Sequence, residues 1–263
     1  MIIFGCITKY KPEDIRPYVE SIDQIGFKGG KVMLVYDVPQ ETIDYLKSKG
    51  WDLYGSELQQ HIILQRFRDA YKVLDNYLDE TIIWTDVKDV IFQKDPTDWI
   101  VENMSSEILA FSECVKFKDD DWARVNAGTS FPMEWEWLQE KTSYCAGTIV
   151  GVGYALKDLF LEIYRWSMTS SNPKQLGDQA AYNVLINLNH FKENVQFVNQ
   201  EEGLITQLGT VLIKKQQFGD KLLEPTPIYK DGKFFTQEGI EFSIVHQYDR
   251  HPQLKEEILK FYT

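Results

Sequence analysis

The stretch TIIWTDVKDVIFQKDP, residues 81–96, places two carboxylates between two apolar segments. Ile82, Ile83 and Trp84 run into a polar break that contains Asp86 and Asp89, and apolar residues resume directly afterwards. A continuous apolar run is typical of a strand that is buried on both faces of a parallel sheet. The stretch therefore predicts a buried strand whose carboxyl end carries two acidic side chains.

Strand-like and helix-like segments alternate around this stretch. Continuous apolar runs predict strands in MIIFGCIT, KVMLVYD, EILAFSE and YCAGTIVGVG, which are residues 1–8, 31–37, 107–113 and 144–153. Helical periodicity is clearest in LQQHIILQRFRDAYKVLDNYL (58–78), YALKDLFLEIYRWSM (154–168) and GDQAAYNVLINL (177–188). This alternation implies right-handed crossovers, so the expected fold class is α/β, with a Rossmann-like sheet flanked by helices.

The remaining segments predict shorter elements. The Asp-rich stretch at residues 113–132 is expected to form a mobile loop. PIYKDGKFF predicts a hairpin that turns at Asp231 and Gly232, and HPQLKEEILKFY predicts a terminal helix. The chain of 263 residues contains no repeat or linker pattern, so a single domain over residues 1–263 is expected.

Composition excludes some classes of function. The net charge of −12 and the pI of about 4.9 argue against a basic nucleic-acid-binding surface. Cys6, Cys114 and Cys145 form no CxxC pair, which favours a reducing compartment. No signal peptide or membrane span is recognisable, so we expect a cytoplasmic protein.

The acidic pair itself allows two interpretations. Ligands of open α/β sheets bind outside the carboxyl ends of the strands, and carboxylates there select Mg²⁺ or Mn²⁺. Asp86 and Asp89 are therefore candidate metal ligands. The alternative is an ordinary surface turn in which Lys88 pairs with a neighbouring carboxylate.

Further polar groups follow other predicted strands or open a helix. Glu113 ends EILAFSE, and His246 follows the apolar residues of IVHQYDRHP. Asp178 and Gln179 begin a predicted helix, and glycines interrupt YCAGTIVGVG. Each has a structural alternative, because Asp178 fits an N-cap, the glycines fit close packing, and a single histidine fits a buried structural role. Their common placement favours a site over four separate structural roles.

The order of these motifs resembles that of GT-A fold glycosyltransferases, which use nucleotide sugars and carry an Asp-x-Asp-type motif. IIWTDVKDVIF resembles their acidic motif, CAGTIVG their Asn-Ala-Gly strand, GDQAAYN their Asp-Gln helix start, and VHQYDRH their late metal-binding histidine. TDVKDVIFQKDP together with HQYDRHP looks like a group of viral, plant and microbial glycosyltransferase-like proteins. Two departures stand out: the aspartates are separated by two residues, and Cys145 replaces the Asn of the glycogenin-like pattern.

The resemblance implies a mixed central sheet with an N-terminal nucleotide-binding part and a C-terminal acceptor-binding part. It implies that the donor is a nucleoside diphosphate sugar, with UDP as the expected nucleotide, and that the acceptor is a glycan or another hydroxyl compound. It implies a manganese or magnesium ion held by Asp86, Asp89 and His246, with Asp86 also reaching the ribose. Asp178 and Gln179 would lie at the anomeric carbon, and retention of configuration is favoured over inversion.

The donor would need further contacts in this interpretation. Thr8 and Asp37 follow the first two predicted strands and would border the nucleobase and the ribose. Glu113 would hold sugar hydroxyls, and Trp122 in the loop at residues 116–131 would close over the donor. The candidate phosphate-binding cations are Arg66 or Arg68, Lys88 and Arg250.

Two other functions are open on the sequence. A metal-dependent nucleotidyl- or phosphotransferase would normally carry a glycine-rich phosphate loop early in the chain, and GCITKYKPED does not supply one. A non-catalytic sugar-binding module would tolerate neutral residues at positions 86 and 89.

Overall fold

The computed structural model of the protein describes residues 1–172, 177–213 and 218–262. The strands are β1 Ile2–Thr8, β2 Gly30–Tyr36, β3 Asp52–Gly55, β4 Thr81–Thr85, β5 Val90–Phe92, β6 Ile108–Lys116, β7 Thr142–Val152, β8 Val195–Val198, β9 Ile205–Gln207, β10 Ile228–Lys230, β11 Lys233–Phe235 and β12 Ile244–His246. The helices are α1 Pro12–Gln24, α2 Gln40–Ser48, α3 Ile62–Val73, α4 Thr97–Asn103, α5 Asp121–Ser130, α6 Pro132–Leu138, α7 Gly153–Met168, α8 Asp178–Asn187, α9 Asn189–Lys192 and α10 Pro252–Phe261.

A seven-stranded sheet forms the centre of the molecule, in the order β3-β2-β1-β4-β7-β6-β8. The pairs among β1, β2, β3 and β4 are parallel, as is the pair of β6 with β8, whereas β7 is antiparallel to both of its neighbours. Because only β7 runs against the others, the sheet is mixed. The α/β fold class and the mixed central sheet predicted from the sequence are confirmed.

Apolar side chains cover both faces of this sheet, as the continuous apolar runs predict. Phe4 and Trp84 point to the face covered by α3, α7 and α8, and Ile3 and Ile83 point to the face covered by α1 and α2. Successive residues of a strand point to opposite faces, so a strand buried on both sides needs no polar positions. Burial of each large side chain contributes about 1.5–3 kcal/mol.

A smaller sheet, in the order β5-β12-β9, connects the acidic stretch to the C-terminal part of the chain. β12 is antiparallel to β5 and parallel to β9, so that His246 lies opposite both Val90 and Gln207. Val90 directly follows Asp89 in the chain. The register of two short strands therefore brings His246 beside the acidic pair.

The structure corrects one local prediction and refines another. The segment at residues 113–132 is not a mobile loop: it contains the end of β6, a 3₁₀ turn at Phe117–Asp119 and helix α5. Its buried Ala123 and Ala127 pack in the core, and the Asp120 side chain accepts a hydrogen bond from the Trp122 N–H at the helix start. The second strand ends at Tyr36, one residue before Asp37.

The C-terminal predictions are confirmed. β10 and β11 form the hairpin, and both turn residues have positive φ, at 52° for Asp231 and 80° for Gly232. Helix α10 corresponds to the predicted terminal helix. Every helix among the described residues is too short or too polar to cross a lipid bilayer.

Candidate active site

Asp86 directly follows β4 and is hydrogen-bonded to the neighbouring strand β7. Its backbone N–H donates to the carbonyl of Gly147 on β7 over 2.7 Å, which continues the β4–β7 pairing by one more contact. A Cβ on Gly147 would lie 2.9 Å from Asp86 Cγ and 3.1 Å from His246 Cε1. Glycine at this position therefore leaves room for the two side chains to approach each other.

Asp89 is held against the residues around His246. The Gln247 N–H donates to the Asp89 carbonyl over 2.8 Å, and the Tyr248 hydroxyl donates to the Lys88 carbonyl over 3.1 Å. Gln247 adopts a positive φ of 63°. These contacts fix the turn between β4 and β5 relative to β12.

Asp86, Asp89 and His246 form one cluster, in which one ligand atom from each lies within 4.8 Å of the others. His246 Nε2 is 3.6 Å from Asp86 Oδ2 and 3.5 Å from Asp89 Oδ1. This nitrogen is buried and has no hydrogen-bond partner among the described residues. Two carboxylates and a neutral imidazole form a ligand set suited to a divalent cation, and the unpartnered nitrogen shows that the residues fit one.

Gln207 orients the imidazole from the other side. Its amide oxygen lies 2.7 Å from His246 Nδ1, and its amide nitrogen donates to Thr148 Oγ1 over 2.7 Å. An amide oxygen only accepts, so Nδ1 carries a proton, and Nε2 is the ring nitrogen that faces the two carboxylates. Gln207 is fully buried, and its position in β9 gives no sequence signal that links it to His246.

The cluster perturbs the titration of its members. Burial alone would lower the pKa of His246, but the carboxylate of Asp89 and the neighbouring Cys145 and Asp86 raise it well above its ordinary value. Burial alone would raise the pKa of Asp86, but the Arg66 guanidinium and His246 together lower it. Such opposed shifts are typical of functional sites.

Arg66 joins the acidic motif to the start of α8. Its Nη1 pairs with Asp86 Oδ1, and its Nη2 lies 3.1 Å from Asp178 Oδ2. Its Nε is buried without a hydrogen-bond partner among the described residues, and its guanidinium lies 4.9 Å from the Phe67 ring centroid. Burial raises the pKa of Asp178, although the charge of Arg66 opposes the rise.

Gln179 contacts Glu113 beside this ion-pair network. The Gln179 amide nitrogen donates to Glu113 Oε2 over 2.7 Å, and the Ser143 hydroxyl donates to the same oxygen over 2.6 Å. Glu113 and Ser143 are buried on β6 and β7. Ser143 was not singled out from the sequence, because its relation to Glu113 depends on the irregular pairing of these two strands.

Two cavities meet at the cluster of Asp86, Asp89 and His246. The first, of about 290 Å³, is lined by Thr8, Tyr10, Lys88 and Asp89 among others, and we call it the Thr8 cavity. The second, of about 450 Å³, is lined by Glu113, Trp122, Asp178 and Gln179 among others, and we call it the Gln179 cavity. Both are lined by Ile63, Arg66, Asp86 and Arg250, so they are the two halves of one cleft.

The remaining predicted residues lie at different distances from this cleft. Lys88 and Arg250 reach it, and Arg250 Nη2 lies 3.6 Å from Asp89 Oδ2. Thr8 lines its own cavity with a buried hydroxyl that has no hydrogen-bond partner among the described residues. Asp37 is exposed and lines neither cavity. Arg68 pairs with Asp69 instead, with its Nε 2.9 Å from Asp69 Oδ1.

Cys145 lies within the site rather than at its edge. Its sulfur is 3.6 Å from His246 Nδ1, and it lines the Gln179 cavity. Burial raises the pKa of its thiol, although His246 opposes the rise, so the group is a neutral thiol at neutral pH. It contributes a small apolar surface where the glycogenin-like pattern has an amide.

Solved structures of other proteins show which fold the chain has. No protein-family model and no curated protein matches the chain. Among solved structures, the galactosyltransferase LgtC, in complex with donor and acceptor sugar analogs, matches at a TM-score of 0.60 and 11% identity, covering 100% of this chain and 94% of that one.

Two further glycosyltransferases match with similar scores. GlyE from Streptococcus pneumoniae TIGR4 matches at a TM-score of 0.59 and 15% identity, over 99% of this chain. The bifunctional glycosyltransferase WbbM matches at 0.58 and 12%, over 98% of this chain. The present chain spans 59% of GlyE and 51% of WbbM. The chain therefore has the GT-A fold, which confirms the resemblance at the level of the fold.

Proposed function

We propose that the chain is a metal-dependent glycosyltransferase that moves a sugar from a nucleoside diphosphate sugar, with UDP as the expected nucleotide, to a hydroxyl acceptor. The observation that carries the proposal is the cluster of Asp86, Asp89 and His246, which lies where the two halves of one cleft meet. A divalent cation at this cluster would lie between the half of the cleft proposed for the nucleotide and the half proposed for the sugar.

The cation would be bound by Asp89 Oδ1, Asp86 Oδ2 and His246 Nε2, the three atoms that face one another. Manganese or magnesium would act there as a Lewis acid toward the diphosphate leaving group. The unpartnered Nε2 supports this assignment, because a buried nitrogen without a partner costs free energy that a ligand recovers.

The Thr8 cavity would hold the nucleotide. Tyr10 and Ile63 offer flat and apolar surface for a base, and the unpartnered Thr8 hydroxyl is available for a polar edge. Lys88 and Arg250 are cations at the same cavity that suit a diphosphate. Because the chain carries a net charge of −12, these local cations are needed to hold an anionic donor.

The Gln179 cavity would hold the sugar and, beyond it, the acceptor. Asp178 and Gln179 start α8 and face this cavity, so we assign them to the anomeric carbon. Arg66 holds the Asp178 carboxylate 3.1 Å away and keeps it oriented. Retention of configuration is proposed because the resemblance to retaining enzymes implies it; in an inverting reaction, Asp178 or Glu113, which both line this cavity, would serve as the base.

Trp122 would form a wall of the Gln179 cavity on the side proposed for the acceptor. Its indole is half-exposed at 52% and lines the Gln179 cavity from the first turn of α5, where Asp120 fixes the backbone. An exposed aromatic ring on a rigid helix suits stacking against a sugar. We propose accordingly that one domain contains both functions, with the N-terminal strands binding the nucleotide and later segments completing the acceptor side.

A panel of nucleotide sugars tests the proposal. We expect hydrolysis of one or more UDP-sugars that requires manganese or magnesium and stops on chelation. The double variant Asp86→Asn/Asp89→Asn should lose this hydrolysis while keeping its circular dichroism spectrum. The matched control Asp79→Asn/Asp98→Asn removes the same charge from two exposed positions outside the cleft and should hydrolyse like the wild type.

Other outcomes identify the rival functions. Metal-dependent release of phosphate or nucleotidyl transfer without sugar release would identify a phospho- or nucleotidyltransferase. Sugar binding that persists in the folded Asp86→Asn/Asp89→Asn variant, with no turnover of any nucleotide sugar by the wild type, would identify a binding module.

A further inference from the structure

The orientation of the Gln179 side-chain amide is determined by its neighbours. A carboxylate accepts hydrogen bonds and donates none, whereas the two ends of a glutamine amide are a donor and an acceptor. Gln179 approaches Glu113 Oε2 to 2.7 Å, so the end that faces Glu113 has to be the NH₂ group. The amide oxygen then points away from Glu113.

Ser143 reinforces this arrangement. Its hydroxyl donates to the same Glu113 oxygen over 2.6 Å, and it lies 3.5 Å from the Gln179 nitrogen. Both Glu113, at 7% exposure, and Ser143, at 0%, are buried on adjacent strands, so the pair is held by backbone that has little freedom to move. A buried charge-assisted hydrogen bond is stronger than a neutral one.

The side-chain oxygen of Gln179 takes no part in these hydrogen bonds. The side-chain hydrogen bonds of Gln179 both involve its nitrogen, and within the described residues its oxygen has no protein partner. Gln179 lines the cavity that also contains Asp178 and Arg66. An acceptor oxygen is therefore presented to whatever occupies that cavity.

We infer that Glu113, supported by Ser143, is a positioning residue that locks the Gln179 amide with its oxygen toward the sugar. The inference rests on the proposed function for its catalytic consequence, because an oxygen at this point stabilises positive charge that develops at the anomeric carbon. Without the carboxylate, either end of the amide satisfies the neighbouring groups, and part of the population presents NH₂ to the sugar instead.

A structural readout tests the lock without any activity. In protein labelled with ¹⁵N-glutamine, the Gln179 side-chain resonance is assigned by its loss in Gln179→Ala. We expect a downfield-shifted amide proton in the wild type and collapse of this shift in Glu113→Gln. The variant Glu113→Ala, which removes the acceptor altogether, provides the same comparison if Glu113→Gln does not fold. An unchanged resonance in the folded variants would overturn the inference.

Kinetics then separate positioning from direct sugar contact. With the UDP-sugar that the wild type hydrolyses, Glu113→Gln should lower kcat on the order of 10²-fold and leave KM unchanged. Glu113→Asp, which still only accepts, should recover part of the loss. The matched control is Glu107→Gln. Glu107 lies outside the cleft, where its carboxylate accepts a hydrogen bond from the Tyr154 hydroxyl, so this change should leave kcat unaltered.

A double-mutant cycle decides the mechanism. If Glu113 acts through Gln179, Glu113→Gln has no further effect in the Gln179→Ala background. Additive losses would mean that Glu113 binds the sugar itself, which would overturn the inference. If the wild type turns over no nucleotide sugar, the proposed function fails, and the amide resonance alone decides whether the lock exists.

Discussion

At the scale of single residues, the spacing of the cluster of Asp86, Asp89 and His246 depends on the absence of a side chain at Gly147. Asp86 and His246 approach each other across this position, and the Gly147 carbonyl binds the Asp86 N–H. A methyl group there has no free space, because its carbon would lie 2.9 Å from Asp86 Cγ and 3.1 Å from His246 Cε1. The cluster therefore requires glycine for steric reasons, with no demand on φ.

The variant Gly147→Ala tests this requirement. We expect its affinity for Mn²⁺, measured by isothermal titration calorimetry, to fall by about 10–100-fold, as is typical when support around metal ligands is disturbed. The control Gly55→Ala adds the same methyl group where its only close neighbour is Val35 Cγ2 at 4.0 Å, and it should bind Mn²⁺ like the wild type. Equal affinities of Gly147→Ala and the wild type would contradict the proposed cluster.

The sequence allowed prediction of those site residues that carry a local signature. Asp86, Asp89 and Asp178 each occur at the end of a strand or the start of a helix, where a polar side chain stands out against apolar neighbours. Gln207 and Ser143 have no such signature, because each is buried within a strand and acts through a residue far away in the chain. Their roles follow only from the register of strand pairs.

At the scale of elements, the sequence predicted best those segments whose periodicity is strong. β4 and α7 are apolar enough to be recognised alone. Helix α5 lies in a stretch whose sequence predicts a mobile loop, because the buried side of DWARVNAGTS consists of small or polar residues and the helix begins in the aspartate run at residues 119–121. The N-cap at Asp120 and packing against the core determine this helix, and neither appears in a hydropathy pattern.

Asp69 connects helix α3, which contains Arg66, to the central sheet through hydrogen bonds. The Asp69 carboxylate accepts hydrogen bonds from Tyr36 and Ser56 at 3.0 Å and pairs with Arg68 at 2.9 Å. The Gln65 side-chain oxygen accepts hydrogen bonds from the backbone N–H groups of residues 59 and 60, and its side-chain nitrogen donates one to the Asp69 carboxylate. This network connects the segment before α3 to β2 and so determines where Arg66 enters the cleft.

The variant Asp69→Asn should show a pH-dependent loss of stability. Burial alone would raise the pKa of Asp69, but hydrogen bonds from Arg68, Gln65 and Tyr36 lower it from 3.8 to about 2. A lowered pKa stabilises the folded state above the unfolded value of 3.8, by about 2 kcal/mol. This contribution is lost as the pH falls from about 4 toward 2, and urea unfolding at pH 6 and pH 3 measures it.

The charge-matched control for this comparison is Asp98→Asn, which removes one exposed carboxylate. The free energy of unfolding of Asp69→Asn should lie below that of the wild type at pH 6, and the difference should be smaller at pH 3. A difference that stays constant between the two pH values would contradict a stabilising role for the ionised carboxylate.

At the scale of the whole molecule, the small β5-β12-β9 sheet joins the N-terminal strands to the C-terminal part of the chain. Val90 of β5 and Gln207 of β9 flank His246 of β12, and Asp89 precedes β5. The candidate ligands therefore come from segments more than 150 residues apart, and the site exists only in the assembled fold. Ligand binding at this point should stabilise the molecule as a unit.

Thermal unfolding with UDP and Mn²⁺ tests this coupling. The Asp86, Asp89 and Asp178 carboxylates face the cleft of a chain with net charge −12, so a diphosphate should bind well only when a cation offsets the repulsion. At concentrations 100 times the Kd, binding contributes about 2.7 kcal/mol, which corresponds to an increase in Tm of about 5–10 °C for a domain of this size. UDP with a chelator should produce a much smaller increase, and Asp86→Asn/Asp89→Asn should show no manganese-dependent increase. Equal increases in Tm with and without the chelator would contradict this coupling. They would mean that UDP binds without a cation held by Asp86, Asp89 and His246.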